Sequence, residues 1–339
     1  MTPRKIVLTD CTLRDGSYQN DFGFTAQDTT ALAAELDRAG FPEIEVGHGL
    51  GLQGATRFKR PAGATDEAYI AAARAAVKKA KLGVFSIPGI ATPESIVAAA
   101  KTGIDVLKIG VVAGNPAPAE ALVKVCHDNG VTPFVFFMQS SLVSPDKLAA
   151  NAATAVGWNV STVYVVDSAG FMMPADVTDY VSRIRARADV SVGFHGHNNL
   201  HLVMANVIAA IEAGADRIDC TLRGLGRSSG NPQSEALALV LHRIGYHTGV
   251  DAARAMAAAD RHVNSRLPGH GNESVDMAVG FAGLHSRFFP DVERIATEHG
   301  LPTIDLLLAV GERGQATDDL TLIADIARRM TRQKQPISI

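Results

Sequence analysis

Two short stretches hold the residues best suited to chemistry. Within KIVLTDCTLRDGSYQ, residues 5 to 19, Arg14 stands beside Asp15, with Asp10 within about one turn and Gly16 following. His195-Gly196-His197 sets two imidazoles two residues apart, a spacing that points both the same way on a strand, and the glycine lets the backbone pass close to a ligand. Together with the Asp15 carboxylate they make a two-histidine, one-carboxylate set with open positions for water and substrate. Imidazole and carboxylate without thiolate favour Mn²⁺ or Mg²⁺ over a structural Zn²⁺. Arg14, next to a ligand in sequence, suits an oxygen that gains charge beside the ion, and enolate chemistry on a 2-oxo acid needs that pairing. Each stretch also has a plainer reading: a strand-end salt bridge, or packing and capping histidines. The surrounding elements have to decide.

Those elements alternate. Ile6 to Leu8 reads as a buried strand, and Asp28 to Ala39 has helical spacing and stops at Gly40. Further strands are expected at Ile44 to Gly47, Leu82 to Ser86, Val106 to Ile109, Thr132 to Phe137, Thr162 to Val166, Val192 to His195 and Arg217 to Cys220. A helical stretch follows each, among them Glu67 to Ala80, one from Pro93 and Ala119 to Asn129. Eight alternations with hydrophobic runs too continuous for one-face burial predict an α/β fold, an eight-stranded parallel (β/α) TIM barrel, with an open doubly wound sheet as the alternative. In a barrel the strand ends ring one mouth. That mouth would collect Asp10, Arg14, Asp15, Glu45, His48, Lys108, Asp167, Ser168, His195, His197, Arg223 and Asn231. Lys108 would suit a Schiff base, a reading that the metal set displaces. His127, His242, His247 and His262 fall on helices or their ends and read as surface or packing residues. The glycines of Gly224 to Asn231 do not fit a dinucleotide fingerprint and follow the last strand rather than the first.

Residues 1–260 are expected to form the barrel, and residues 261–339 a helical C-terminal domain that covers the site and contacts a partner. The final QKQPISI is expected to fray. At 339 residues and 47% hydrophobic content the chain can bury a full core, and a formal charge of -3 provides no field for nucleic acid or an acidic membrane. Cys11, Cys126 and Cys220 are too far apart for a disulfide framework or a thiolate cage. No long apolar segment precedes the first strand and none later has the length of a span, so a cytoplasmic, soluble protein is expected.

At these residues the sequence resembles the metal-dependent pyruvate aldolases, and most closely the 4-hydroxy-2-oxovalerate aldolases. They are related to 3-hydroxy-3-methylglutaryl-CoA lyase and to the 2-isopropylmalate and homocitrate synthases. The shared signals are TLRDG at Thr12 to Gly16, HxHN at His195 to Asn198 and the glycine loop ending at Gly230-Asn231. More specific to the aldolases are IEVGHGLGLQG at Ile44 to Gly54, YVVDSAG at Tyr164 to Gly170 and GFAGLHSRF at Gly280 to Phe288. The resemblance implies Mn²⁺ (or Mg²⁺ or Co²⁺) on Asp15, His195 and His197. It implies Arg14, Ser168 and His195 at the substrate, and an acylating acetaldehyde dehydrogenase as partner in an oligomer.

The implied reaction is retro-aldol cleavage of a 4-hydroxy-2-oxo acid to pyruvate and an aldehyde through a metal-bound enolate. Two positions depart from the family. Tyr18 stands where the family carries its catalytic histidine, and His285 stands where it carries a tyrosine. A phenol near ~10 is a poor base at neutral pH, whereas an imidazole near ~6.5 is well matched. The expectation is therefore an exchange of roles, with His285, or else His48, as the base. A Claisen-type synthase on the same metal site and a non-catalytic barrel that binds a 2-oxo acid are the alternative readings.

Overall fold

A computed structural model describes residues 4–317 and 319–334. Eight parallel strands close into a barrel: β1 (Val7–Asp10), β2 (Glu43–Glu45), β3 (Lys81–Ser86), β4 (Val106–Val112), β5 (Thr132–Met138), β6 (Thr162–Asp167), β7 (Ser191–Gly196) and β8 (Arg217–Cys220). β1 pairs with β8 through Val7 to Arg217 and Asp10 to Cys220, which leaves no edge strand. The helix following each strand is α1 (Ala26–Arg38), α2 (Asp66–Ala76), α3 (Pro93–Thr102), α4 (Ala119–Asp128), α5 (Pro145–Val156), α6 (Pro174–Arg187), α7 (Val203–Glu212) and α8 (Ser234–Arg243). A one-turn helix, Gly54–Arg57, also precedes α2.

Local signals explain most boundaries. Thr25 with Asp28, and Thr92 with Ser95, form capping boxes at α1 and α3, and Pro93 and Pro145 occupy first-turn positions that need no N–H. Helix α2 ends at Ala76 rather than running to Ala80, because the Asp37 carboxylate collects the N–H groups of Lys78, Lys79 and Ala80 at 2.8–3.1 Å. Strand β2 stops at Glu45, before Gly47 turns the chain at a φ of 119°.

The outer face of the barrel packs against the helices through Leu8, Ile44, Leu82, Ile109, Val135 and Val165. The interior is filled by Phe85, Val106, Phe134, Phe136, Tyr164 and Val166 together with buried charges. Gly193 is required there, since a Cβ would overlap the Tyr164 ring.

After α8 come α9 (Ala252–Ala258), a π-helical segment (Ala259–Asn264), α10 (Ser274–Ala282), α11 (Phe289–Glu298), α12 (Thr303–Gly311) and α13 (Leu320–Lys334). The barrel core takes in residues as late as Val263, and residues between Ala278 and Ala327 form a second apolar cluster. Gln333 and Lys334, expected to fray, end α13. Residues 335–339 lie outside the described residues. Among the described residues no helix is long and apolar enough to cross a membrane.

Helix α8 starts under the mouth, where Ser234 Oγ donates to Asp10 and the buried Glu235 carboxyl accepts the Arg223 N–H. Burial pushes the Glu235 pKa up from 4.5 to about 8. Between those values the unfolded chain has released a proton that the folded chain keeps, so unfolding free energy falls as pH rises. Glu235→Gln is expected to remove this contribution. The Tm of the wild type relative to the variant should decline from pH 4.5 to about 8, and parallel Tm profiles would contradict it.

Candidate metal centre

The turn after β1 enters a 3-10 helix, Asp15–Asn20, that tips Asp15 into the mouth. The carboxylate is fixed on both oxygens. Oδ1 accepts Arg14 Nη1 at 2.9 Å, and Oδ2 accepts the Asn231 amide at 2.6 Å and the Arg227 N–H at 3.3 Å. Burial opposes its ionisation, but the Arg14 guanidinium, the two histidines and the Asn231 amide outweigh burial and hold it well below the usual carboxylate range.

His195 and His197 leave β7 with ring centroids 5.1 Å apart, and Asp219 Oδ2 lies 3.0 Å from His195 Nδ1. This contact fixes the ring and leaves Nε2 for a ligand, as when a metal-bound histidine turns its other nitrogen to a carboxylate. His197 Nδ1 is buried with no hydrogen-bond partner, and burial pulls its pKa down to about 4, so the ring is neutral at physiological pH. One ligand atom from each of Asp15, His195 and His197 lies within 4.8 Å of the others. Ligand atoms about 2.0–2.2 Å from one ion lie no more than about 4.4 Å apart, so a separation bounded at 4.8 Å needs at most a few tenths of an ångström of closure. The donors therefore fit a divalent ion.

Beneath the three lies a chain of buried charges. Arg14 Nε donates to Glu45 Oε1 at 2.5 Å, Lys108 Nζ meets Glu45 Oε2 at 2.6 Å and Asp219 at 2.7 Å, and Asp219 returns to His195. Burial disfavours the Lys108 charge, yet Asp219 and Glu45 keep its pKa well above the ordinary value, so it is no Schiff-base nucleophile. Cys11, Glu45 and Asp219 also approach one another at metal-ligand spacing, but the Lys108 ammonium already joins the two carboxylates. Arg14 Nη2 is buried and bonded to nothing in the protein. It is a donor held ready for an anionic oxygen.

The loop after β8 completes the wall. Gly230 takes a φ of 86°, and a Cβ there would overlap the Gly224 carbonyl, so the loop folds tightly enough for Asn231 to reach Asp15.

A sequence model of the HMGL-like family matches residues 5–261. The chain belongs to the HMGL-like family. It is 39% identical over 329 residues to 4-hydroxy-2-oxovalerate aldolase 2 of Nocardia farcinica, which covers 96% of this chain and 95% of that protein. It is 36% identical over 332 residues to 4-hydroxy-2-oxovalerate aldolase of Carboxydothermus hydrogenoformans, covering 97% and 98%. The crystal structure of hydroxymethylglutaryl-CoA lyase from Pseudomonas aeruginosa superposes with a TM-score of 0.68 at 17% identity, covering 82% of this chain and 98% of that one, a likeness of fold.

Other expected residues of this HMGL-like site divide. Ser168 sits at the rim, its Oγ accepting the Gln139 N–H at 2.9 Å. Tyr18 is half-buried beside Asp15, and burial, reinforced by the Asp15 charge, raises its pKa, so the phenol keeps its proton. His48 is buried, stacked on Phe22 at 4.0 Å, with Nδ1 accepting the Leu50 N–H. The neutral ring therefore carries its proton on Nε2 and has no free basic nitrogen in this arrangement.

His285 is not brought to the mouth. Helix α10 begins beside Glu273, the partner of Arg223, and its Phe281 carbonyl accepts Arg243 Nη1 at the far end of α8. His285 follows that far end, exposed, with Nδ1 accepting the Arg287 N–H. Two residues of the mouth set serve structure instead. Asp167 accepts the N–H groups of Phe171 and Met172, and Arg223 anchors Asn272 and Glu273.

Sequence reasoning missed Asp219, although a carboxylate two residues after Arg217 on the same strand face, with a buried lysine in β4, signalled an internal ion pair. Asp219→Asn is expected to weaken divalent-ion binding about 10–100-fold, with Mn²⁺ as the probe in a titration followed by electron paramagnetic resonance. Lys108→Met leaves two buried carboxylates without their shared ammonium and is expected to cost about 3–5 kcal/mol in urea unfolding. An unmoved midpoint would contradict this account of the network.

Proposed function

We propose that this chain cleaves a 4-hydroxy-2-oxo acid, such as 4-hydroxy-2-oxovalerate, to pyruvate and an aldehyde. The full-length identity to 4-hydroxy-2-oxovalerate aldolases, joined to the approach of Asp15, His195 and His197, carries the reading. Asp15, His195 and His197 would hold Mn²⁺, with Mg²⁺ or Co²⁺ as alternatives, and the ion would supply Lewis acidity to the 2-oxo carboxylate.

The remaining steps belong to the protein. Ser168 is free to donate its hydroxyl proton to the substrate carboxylate, since its oxygen already accepts from Gln139. Arg14 offers Nη2 to the oxygen at C2, where charge grows as the C3–C4 bond breaks. Tyr18 keeps its own proton and orients the 4-hydroxyl, whose proton passes to water at the mouth as the C3–C4 bond breaks and the aldehyde forms; that water then returns a proton to C3 to give pyruvate. His48 and His285 receive no base role in this proposal, for the geometric reasons above.

We also propose that residues 1–260 form the catalytic unit and residues 261–339 a helical domain that contacts a partner in an oligomer. The partner of this reading is an acylating acetaldehyde dehydrogenase that takes the aldehyde. Co-purification with such an activity supports it, and a monodisperse aldolase that never binds one counts against it.

Pyruvate release from a panel of 4-hydroxy-2-oxo acids, coupled to lactate dehydrogenase, is expected with Mn²⁺ and not with chelator. Acyl-CoA-dependent thiol release without pyruvate would support a Claisen-type synthase instead. Tyr18→Phe should lower kcat about 10²-fold or more, while His285→Ala keeps near-full turnover. The reverse result would restore the imidazole as base.

A further inference from the structure

Beside the metal ligands lies a cationic feature that the cleavage chemistry does not use. Tyr18, three residues after Asp15 on the same 3-10 helix, meets Phe22 edge-on at 5.0 Å between centroids. Arg227 holds its guanidinium 5.7 Å from the Tyr18 ring centroid, and Arg60 holds its own 5.8 Å from that of Phe22. Both arginines are exposed, and neither forms an ion pair with a carboxylate among the described residues. The ion pairs around the mouth belong to Arg14, Lys108 and Arg223.

Arg227 is also held in place. Its N–H donates to Asp15 Oδ2 at 3.3 Å, and Gln19 Nε2 clamps the flanking carbonyls of Gly226 and Ser228 at 2.7 and 3.0 Å. The loop is thus pinned on both sides of the arginine. Arg60 belongs to the run Arg57-Phe58-Lys59-Arg60, which adds two more exposed cations.

Charge arithmetic sharpens the point. The buried network of Asp15, Glu45 and Asp219 against Arg14 and Lys108 sums to one negative charge, so a divalent ion leaves one positive charge, which the 2-oxo carboxylate matches. Arg60 and Arg227 are cations beyond that balance. Held over the rings at 5.7 and 5.8 Å, the two guanidinium groups keep their N–H forks open for an anion.

We propose that Arg60 and Arg227 form an anion subsite for a carboxylate or phosphate carried on the C4 side of the substrate, so that the aldehyde released is itself negatively charged. The inference rests on the aldolase reading and names the substrate class within it. Tyr18 and Phe22 are the floor of the subsite, and the side chains above them supply fork-shaped donors that match either anion.

The test runs in the synthetic direction with Mn²⁺, offering pyruvate with matched aldehydes: butanal against succinic semialdehyde, and glyceraldehyde against glyceraldehyde 3-phosphate. A charge-assisted hydrogen bond corresponds to roughly a tenfold preference or more. The charged member of at least one pair is therefore expected to show about tenfold higher kcat/KM, carried by KM and eroded by salt. The pair that shows it tells carboxylate from phosphate. In the Arg60→Met, Arg227→Met double variant the charged-to-neutral ratio should fall to near one.

Equal use of neutral aldehydes, or an equal loss on both classes in the variant, overturns the subsite. The underlying reaction is read separately by exchange of the pyruvate methyl protons in deuterated water, followed by NMR. Exchange without a charge preference removes the subsite alone. Absence of both exchange and aldol product removes the aldolase reading and the subsite with it.

Discussion

The site depends on one ammonium group. Lys108 stands inside the barrel between Glu45 and Asp219, and each of these carboxylates holds a group of the candidate metal centre, Arg14 on one side and His195 on the other. Three strands, β2, β4 and β8, are therefore tied to the turn after β1 and to β7 by alternating charges. Such a network is costly to desolvate and is tolerated because almost every member is paired. What it provides is direction: the imidazole and guanidinium cannot rotate without breaking a buried ion pair.

The same network separates the two halves of the site's chemistry. Groups satisfied within the protein, Lys108, Glu45, Asp219 and Cys11, are chemically silent. Those left with unused capacity, the Arg14 Nη2, the His197 Nδ1 and the rim hydroxyl of Ser168, remain open to a ligand. The geometry thus makes Arg14 both a structural cation, through Nε and Nη1, and a free donor, through Nη2.

Much of this was legible in the sequence. The continuous apolar runs gave the eight strands and their parallel closure, because burial on both faces removes the period-two alternation. His195 and His197 were legible because their partnership is local to one strand. Asp219 was not, since its meaning depends on Lys108, 111 residues away, and a lone carboxylate at a strand end looks like any other. The end of the helix after Thr65, four residues short of the expected Ala80, is not legible because its terminator, Asp37, lies in another helix. Only motif resemblance points His285 to the mouth, and the direction of α10, which carries it away, is set by contacts that no spacing rule encodes.

The filled interior has a further consequence. Tyr164, Phe134 and Phe136 fill the barrel beneath the charges, with Arg217 bound to Glu43 and its guanidinium 4.8 Å from the Phe134 ring centroid. Among the described residues the axis is therefore no passage, and a molecule held at the mouth cannot leave through the barrel, so occupancy of the mouth becomes a matter of traffic. A fragment still held at the rim then stands in the way of the next arrival, as a competitor would.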